Sequence, residues 1–263
     1  MTYALSATKL VTYRQCPQSY YFKYERGLKS PSAFGSPELG NSLHQALALA
    51  YKDWHYQELK PNWIWFETCW EQSIERLTEA QAIEGRDILK GYYNKFVEPL
   101  PSMAKPLGIE SRISATVQFG NIEFSLSGRY DRLDLNQDGE LELIDYKTSK
   151  SKAIPDSIDV QLGLYYLALE QIYSQSLKRL TLIFLRSGES QSFDVTPDHQ
   201  AQVRSLISDL ATKLRTDAEW KPNEGGHCDR CTYQKYCTAK TCEPEPLPEG
   251  GRGLKQVQLV LAV

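Results

Sequence analysis

Between residues 122 and 147 the chain alternates apolar and polar side chains with the period of a half-buried strand. The alternation breaks once, at Asn136-Gln137-Asp138-Gly139-Glu140. The break reads as a hairpin with a three-residue loop, Gln137-Asp138-Gly139, whose glycine takes the left-handed position. In that register Leu135 faces Leu141, Leu133 faces Leu143 and Asp131 faces Asp145. Lys147 falls on the same side of the sheet, two residues further on. One face of the hairpin is therefore a ladder of leucines that ends in two carboxylates and a lysine. Elsewhere the apolar positions follow the helical period and predict helices over 8–15, 40–56, 63–80, 84–97, 158–174 and 198–217. Further strands fall near 109–119, 180–186 and 191–195.

Leu43, Ala46, Leu47, Ala50 and Trp54 make the buried stripe of the second helix, and His44 sits beside that stripe near the helix start. On spacing alone such a histidine is a packing or capping residue. The helix over 158–174 is read as amphipathic and carries Gln161 and Tyr165 four apart, on one face. Residues 60–100 form a helical insertion between His44 and the sheet, placed as the wall of a channel. Pro99-Leu100-Pro101 and Lys105-Pro106 mark the break before the strands. The whole is an α/β chain with one domain over 1–242. A proline- and glycine-rich tail follows over 243–263, and its end, Val257–Val263, has strand character.

The carboxylates raise a physical question. Like charges directly opposed on a sheet repel, and carboxylates at the end of an apolar face lose hydration. A divalent cation would remove both penalties, and hard oxygen ligands suit Mg²⁺ or Mn²⁺. The competing reading is a surface hairpin whose charges are solvated.

Six cysteines are present. Cys228, Cys231 and Cys237 form a compact C-terminal trio. Cys16 lies near the other end of the chain, Cys69 sits in the aromatic helix Trp63–Trp70, and Cys242 follows the trio. No secretory segment precedes the core, which disfavours disulfides. Zinc held by the thiolates, or by His227 with three of them, lacks the paired Cys-x2-Cys spacing of a zinc ribbon. Cys69 reads as a packing residue and Cys242 as a substitute ligand.

At 263 residues and a net charge of −3, the chain suits one large domain and not a protein that coats nucleic acid through a broad basic surface. No apolar run reaches membrane-spanning length, so the expectation is a cytoplasmic protein without a membrane partner. Local basic surface remains possible at Lys147, Lys150 and Lys152. A second patch is Arg14, Lys23 and Arg26, interleaved with Tyr13, Tyr20, Tyr21, Phe22 and Tyr24. Those aromatics either stack on unpaired bases or pack a helix.

Taken in order, His44, Asp131, Asp145-Tyr146-Lys147 and Gln161-x-x-x-Tyr165 resemble the PD-(D/E)xK nuclease superfamily, in its RecB-like and Cas4-like branch. Asp145 stands where the motif more commonly has Glu, a variation the family accepts. The resemblance implies a restriction-endonuclease-like core: a central mixed β-sheet flanked by helices, with the helical insertion and the C-terminal cysteine segment added. It implies a Mg²⁺- or Mn²⁺-dependent deoxyribonuclease with Asp131, Asp145, Lys147, Gln161 and Tyr165 as catalytic residues. His44, Asp131, Asp145 and the Tyr146 backbone carbonyl would hold the metal, and the histidine nitrogen tilts the preference toward Mn²⁺. Lys147, beside two carboxylates, would act electrostatically in preference to acting as a base. When this branch carries a [4Fe–4S] cluster, a cysteine trio and a distant fourth cysteine hold it. Here those are Cys16, Cys228, Cys231 and Cys237, with zinc the less favoured occupant.

The implied substrate is DNA, single-stranded or frayed at its ends. The implied setting is repair and recombination with a helicase, or CRISPR spacer acquisition with an adaptation partner. The alternative from another class is a non-catalytic nucleic-acid-binding or scaffold protein with the same fold. A third is a zinc-stabilised nuclease.

Overall fold

The hairpin forms in the register its leucines demand. In a computed structural model, which describes residues 3–28, 38–136, 138–149, 158–173 and 177–248, Leu133 pairs with Leu143 and Leu135 with Leu141. Gly139 takes a φ of 75°. The Asn136 side chain accepts from the backbone N–H groups of Asp138 and Glu140, at 3.0 and 2.8 Å, and fixes the turn. Leu133, Leu141 and Leu143 are buried, while Leu135 at the loop end is exposed.

The elements in order are β1 (Tyr3–Leu5), α1 (Ala7–Gln15), α2 (Pro17–Tyr20, extended by a wide turn Tyr21–Glu25), α3 (Glu38–Lys52), α4 (Trp63–Glu71) and α5 (Glu79–Phe96). Then come β2 (Gly108–Phe119), β3 (Ile122–Leu135), β4 (Leu141–Lys147), α6 (Ile158–Ile172), β5 (Leu177–Phe184), β6 (Glu189–Asp194) and α7 (Pro197–Thr216). Short 3₁₀ turns at Gly226–Arg230 and Gln234–Tyr236 carry the cysteine segment. The helix expected over 63–80 is shorter and stops at Glu71, where Ser73 Oγ donates back to the Cys69 carbonyl. The helix expected over 84–97 starts earlier, at Glu79, because Thr78 and Gln81 form a reciprocal capping box.

The six strands form one mixed sheet in the order β1-β3-β4-β5-β6, with β2 on β3. β2 runs antiparallel along one edge of β3, from Leu133 to Ile122. The other edge is shared. β4 pairs with Arg132–Leu135, and β1 pairs in parallel with Phe124–Leu126. Between these stretches β3 has no strand beside it among the described residues, so the sheet forks. The β3–β4 ladder ends at Arg132 and Ile144, one pair short of the two aspartates.

Each face carries its own apolar layer. On one, α1, α6 and α7 pack on Leu133, Leu143, Leu180 and Leu182. On the other, α3, α4 and α5 pack on Ile144, Tyr146, Ile183 and Leu185. The predicted α3 stripe of Leu43, Ala46, Leu47, Ala50 and Trp54 is buried there, as is Cys69. The helix read as amphipathic is not: from Leu162 to Leu169 every residue of α6 is buried, because α7 covers the side away from the sheet. Gly163 permits that approach, with Val203 and Ile207 where a side chain would be.

The chain's two ends meet through aromatics. Trp220 stacks on Tyr20 and Tyr21, at 5.7 and 5.8 Å between centroids, and meets Tyr13 edge-on. Tyr13 Oη donates to Asp217 Oδ2 at 2.8 Å, and Asn223 Nδ2 donates to the Gln15 carbonyl at 3.0 Å. The choice between stacking on bases and packing is decided for Tyr13, Tyr20 and Phe22, which are buried packing residues. Trp220→Ala is expected to cost about 2–3 kcal/mol of stability, measured by urea unfolding, through loss of a half-buried aromatic. A change below about 0.5 kcal/mol would show that this junction does not hold the ends together.

Candidate active site

The fork decides where polar groups collect. Past Arg132 the Tyr146 N–H has no strand carbonyl opposite it. The Asp131 carboxylate takes its place, with Oδ2 accepting that N–H at 2.7 Å. This leaves Asp131 Oδ1 facing His44 Nδ1 of α3 at 3.2 Å. Asp145 lies across the gap and is 9% exposed. Its Oδ1 accepts from Gln161 Nε2 of α6 at 3.0 Å, and its Oδ2 lies 2.6 Å from Lys147 Nζ. That second contact is a close ion pair, and a carboxylate oxygen with one such partner still has a lone pair to offer. Tyr165 Oη, 3.4 Å from Gln161 Nε2, donates to the Arg129 carbonyl at 2.7 Å. Gln161 thus holds the β4 prong and Tyr165 the β3 prong, and α6 spans the gap. All the residues nominated from the sequence, His44, Asp131, Asp145, Lys147, Gln161 and Tyr165, come together here. Lys150 and Lys152 lie outside the described residues.

Two further residues carry no periodicity that marks them in the sequence. Glu110 on β2 lies opposite Asp131, since Ile109 pairs with Arg132 and Ser111 with Tyr130 on either side. The ladder is interrupted there, and Glu110 adopts a φ of 45°. Its Oε1 is 3.6 Å from His44 Nδ1 and its Oε2 is 2.7 Å from Arg129 Nε. Only the β2–β3 register identifies it. Arg132 lies on the sheet's other face. It donates through Nη1 to the hydroxyls of Tyr146 (3.1 Å) and Tyr92 (3.2 Å), pairs through Nη2 with Asp134 at 3.0 Å, and sits over the Tyr51 ring at 4.3 Å. It ties α3 and α5 to the strand that bears Asp145 and Lys147.

Ligand atoms of His44, Glu110 and Asp131 lie within 4.8 Å of one another. They form a nitrogen-and-oxygen donor set of the kind a Mg²⁺- or Mn²⁺-sized ion takes, and Glu110 stands in it where the sequence suggested Asp145. The site opens on a groove of about 880 Å³ lined by His44, Gln45, Lys52, Glu110, Arg129 and Arg186, among others. Its wall is α3. Residues 60–100, expected to form that wall, stand behind α3 instead and reach the rim through the Glu84–Arg186 ion pair.

The electrostatics are those of a site short of positive charge. Burial raises the Asp145 pKa, Lys147 pulls it back, and Asp131 adds to the rise. For His44, burial works against the cation, but the Asp131 and Glu110 carboxylates outweigh it and raise its pKa to about 10. Without metal the imidazole is therefore protonated at neutral pH, and it must lose that proton to become a ligand.

The cysteines converge as well. Cys16, Cys228, Cys231 and Cys237 line one small cavity with His227 and Gln234. Burial raises the Cys231 thiol's pKa, and charge on Cys16, Cys237 and Cys228 raises it further. Cys242, the expected substitute, is exposed and does not line this cavity. None of the six is in a disulfide. After the trio the chain stays tied as far as Glu245, which bonds back to Lys235. Residues 249–263, including Val257–Val263, lie outside the described part.

A forked mixed sheet with paired aspartates and a lysine at the notch is the arrangement of a nuclease core. Residues 4–238 match the PD-(D/E)XK nuclease superfamily, and the chain belongs to that superfamily. It is similar to one subunit of the ATP-dependent helicase/deoxyribonuclease of Clostridium perfringens, 28% identical over 205 residues that cover 63% of this chain and 17% of that protein. It is also similar to the corresponding subunit from Carboxydothermus hydrogenoformans, 26% identical over 203 residues, 64% of this chain and 18% of that one. The chain thus spans less than a fifth of those relatives' length. The solved structure of SSO0001 superimposes with a TM-score of 0.46 and 16% identity, covering 90% of this chain and 87% of its own. No described helix is long and apolar enough to cross a membrane.

The raised Asp145 pKa has a signed consequence. Below the ordinary value of 3.8 the carboxyl is protonated folded or unfolded and nothing is lost. As pH rises past 3.8 the unfolded chain ionises first, so metal-free stability falls until the folded pKa is passed, and then stays lower. At pH 7 without metal, Asp145→Asn is expected to be more stable than wild type. The advantage should disappear as the pH is taken below 3.8 and reverse with saturating Mn²⁺. Urea unfolding at several pH values measures it, and a variant less stable at pH 7 would contradict the burial argument.

Proposed function

We propose that the chain is a divalent-metal-dependent deoxyribonuclease that hydrolyses phosphodiester bonds at single-stranded or frayed DNA ends, and that it carries a [4Fe–4S] cluster. The observation that carries the reading is the convergence of Asp131, Asp145 and Lys147 at the notch of the fork, where Asp131 meets His44 of the groove wall. His44, Asp131, Asp145 and the Tyr146 carbonyl would hold Mg²⁺ or Mn²⁺, with Glu110 as a further oxygen donor. When bound, such an ion polarises the phosphoryl oxygen and lowers the pKa of water.

The chain's own residues do the rest. Tyr146 N–H orients the Asp131 carboxylate, and Gln161 orients that of Asp145, so each presents one fixed oxygen to the notch. Lys147, held by Asp145, places a cation where negative charge grows on the phosphate. Tyr165 fixes the β3 prong through the Arg129 carbonyl and keeps the two carboxylates at a constant separation. The relatives named as parts of a helicase/deoxyribonuclease favour a role in DNA repair or recombination with a helicase partner over CRISPR spacer acquisition.

The four thiols around one cavity support the cluster, since four cysteine thiolates are the usual ligands of [4Fe–4S]. Cys16 would then join α1 to the segment after α7, where Trp220 already packs.

The nuclease reading is tested with end-labelled single- and double-stranded DNA and Mg²⁺ or Mn²⁺. Asp131→Ala is expected to abolish cleavage. Lys147→Ala should lower the rate by about a hundredfold or more while Mn²⁺ binding, measured by calorimetry, persists. Cleavage by both variants at the wild-type rate would leave a non-catalytic binding protein as the better account.

The cluster is tested by metal analysis of anaerobically purified protein. Roughly four irons per chain and absorbance near about 400 nm are expected. One zinc and no iron would replace the cluster with a zinc site. No metal, with Cys16→Ala as stable as wild type, would remove both.

A further inference from the structure

Arg129 lines the groove and commits its charge to a carboxylate of the site itself. Its Nε lies 2.7 Å from Glu110 Oε2 and also donates to the Glu110 carbonyl at 3.1 Å. The side chain is 63% exposed and lines the open groove, while Glu110 is 18% exposed. The other Glu110 oxygen faces His44, which is 3.2 Å from Asp131. One carboxylate thus stands between an exposed guanidinium and the place where ligand atoms converge. Its backbone φ of 45° holds it there, a conformation a glutamate rarely adopts.

We infer that Arg129 competes with the metal for Glu110, and that a DNA phosphate entering the groove relieves the competition. The inference rests on the nuclease reading of the groove. An ion pair this exposed is held weakly, so a phosphodiester can draw the guanidinium away. Arginine binds phosphate through the same fork of donors that it offers a carboxylate. Once Arg129 turns to the phosphate, Glu110 Oε2 is free to join Asp131 as an anionic ligand, and metal affinity rises with substrate in place. By linkage, metal raises DNA affinity by the same factor. Arg129 is then a positioning residue: it acts on the metal through Glu110 and on the substrate through charge.

The distinguishing measurement is Mn²⁺ binding in the absence of DNA, by calorimetry, for wild type, Arg129→Met, Glu110→Gln and the double variant. Arg129→Met removes an opposing cation, and it should bind Mn²⁺ about two- to fivefold more tightly than wild type. Glu110→Gln should bind more weakly, and in that background Arg129→Met should have no further effect. In EDTA, Arg129→Met should bind an end-labelled single-stranded oligonucleotide more weakly, read by anisotropy.

Arg129→Met with unchanged or weaker Mn²⁺ binding overturns the competition. Tighter Mn²⁺ binding with unchanged oligonucleotide affinity overturns the exchange with phosphate. A wild type that binds no Mn²⁺ removes the metal site and this inference together, whereas wild-type binding that ignores Arg129 removes the inference alone.

Discussion

The structure turns on one missing strand partner. β3 is longer than any strand beside it on one edge, so β4 covers one end of it and β1 the other. A backbone N–H exposed in that interval would cost free energy if left unpaired. Asp131 satisfies it with a side-chain oxygen, and the ladder continues in a form that carries charge. The same gap lets Tyr165 reach the Arg129 carbonyl and Gln161 reach Asp145. A sheet that zipped completely would have no room for either, and its two aspartates would repel across a closed ladder.

Both helical layers then hold the notch from opposite faces. On one face α3 brings His44, and Arg132 ties the phenols of α3, α5 and β4 to β3. α6 closes the remaining side. Because these supports come from different layers, the distance between the carboxylates is set by the packing of the whole domain and not by the hairpin alone. The charges at the notch are correspondingly unbalanced. Two aspartates and a glutamate face His44, Lys147 and an exposed Arg129 that pairs with the glutamate alone.

What is legible in the sequence is whatever local chemistry determines. The hairpin register follows from the leucine alternation and the Asp138-Gly139 turn, because a one-residue slip would turn Leu133 and Leu143 to solvent. His44, Asp145, Lys147, Gln161 and Tyr165 stand out by residue type and order, and the fold places them in one spot. Glu110 does not, because its partner, Asp131, is set by the β2–β3 register and by no pattern near it. β1 is invisible because three residues carry no period. α6 misleads because a helix covered on every side has no polar face to betray its orientation. The break at Glu71 is written in Thr78 and Gln81, but the aromatic run Trp63–Trp70 outweighs it.

The position of β1 sets when the notch can exist during folding. The hairpin of β3 and β4 is a local contact and can form early. The other boundary of the gap requires Tyr3–Leu5 to find Phe124–Leu126, which closes a loop containing α1 to α5 and β2. Contacts of such long range cost loop entropy before they give anything back, and they form late. A chain still emerging from the ribosome, with β4 not yet made, therefore lacks one prong of the fork. Asp145 comes on β4 and its support, Gln161 of α6, follows later in the chain, so a cation held at the notch would favour the finished domain over its precursors.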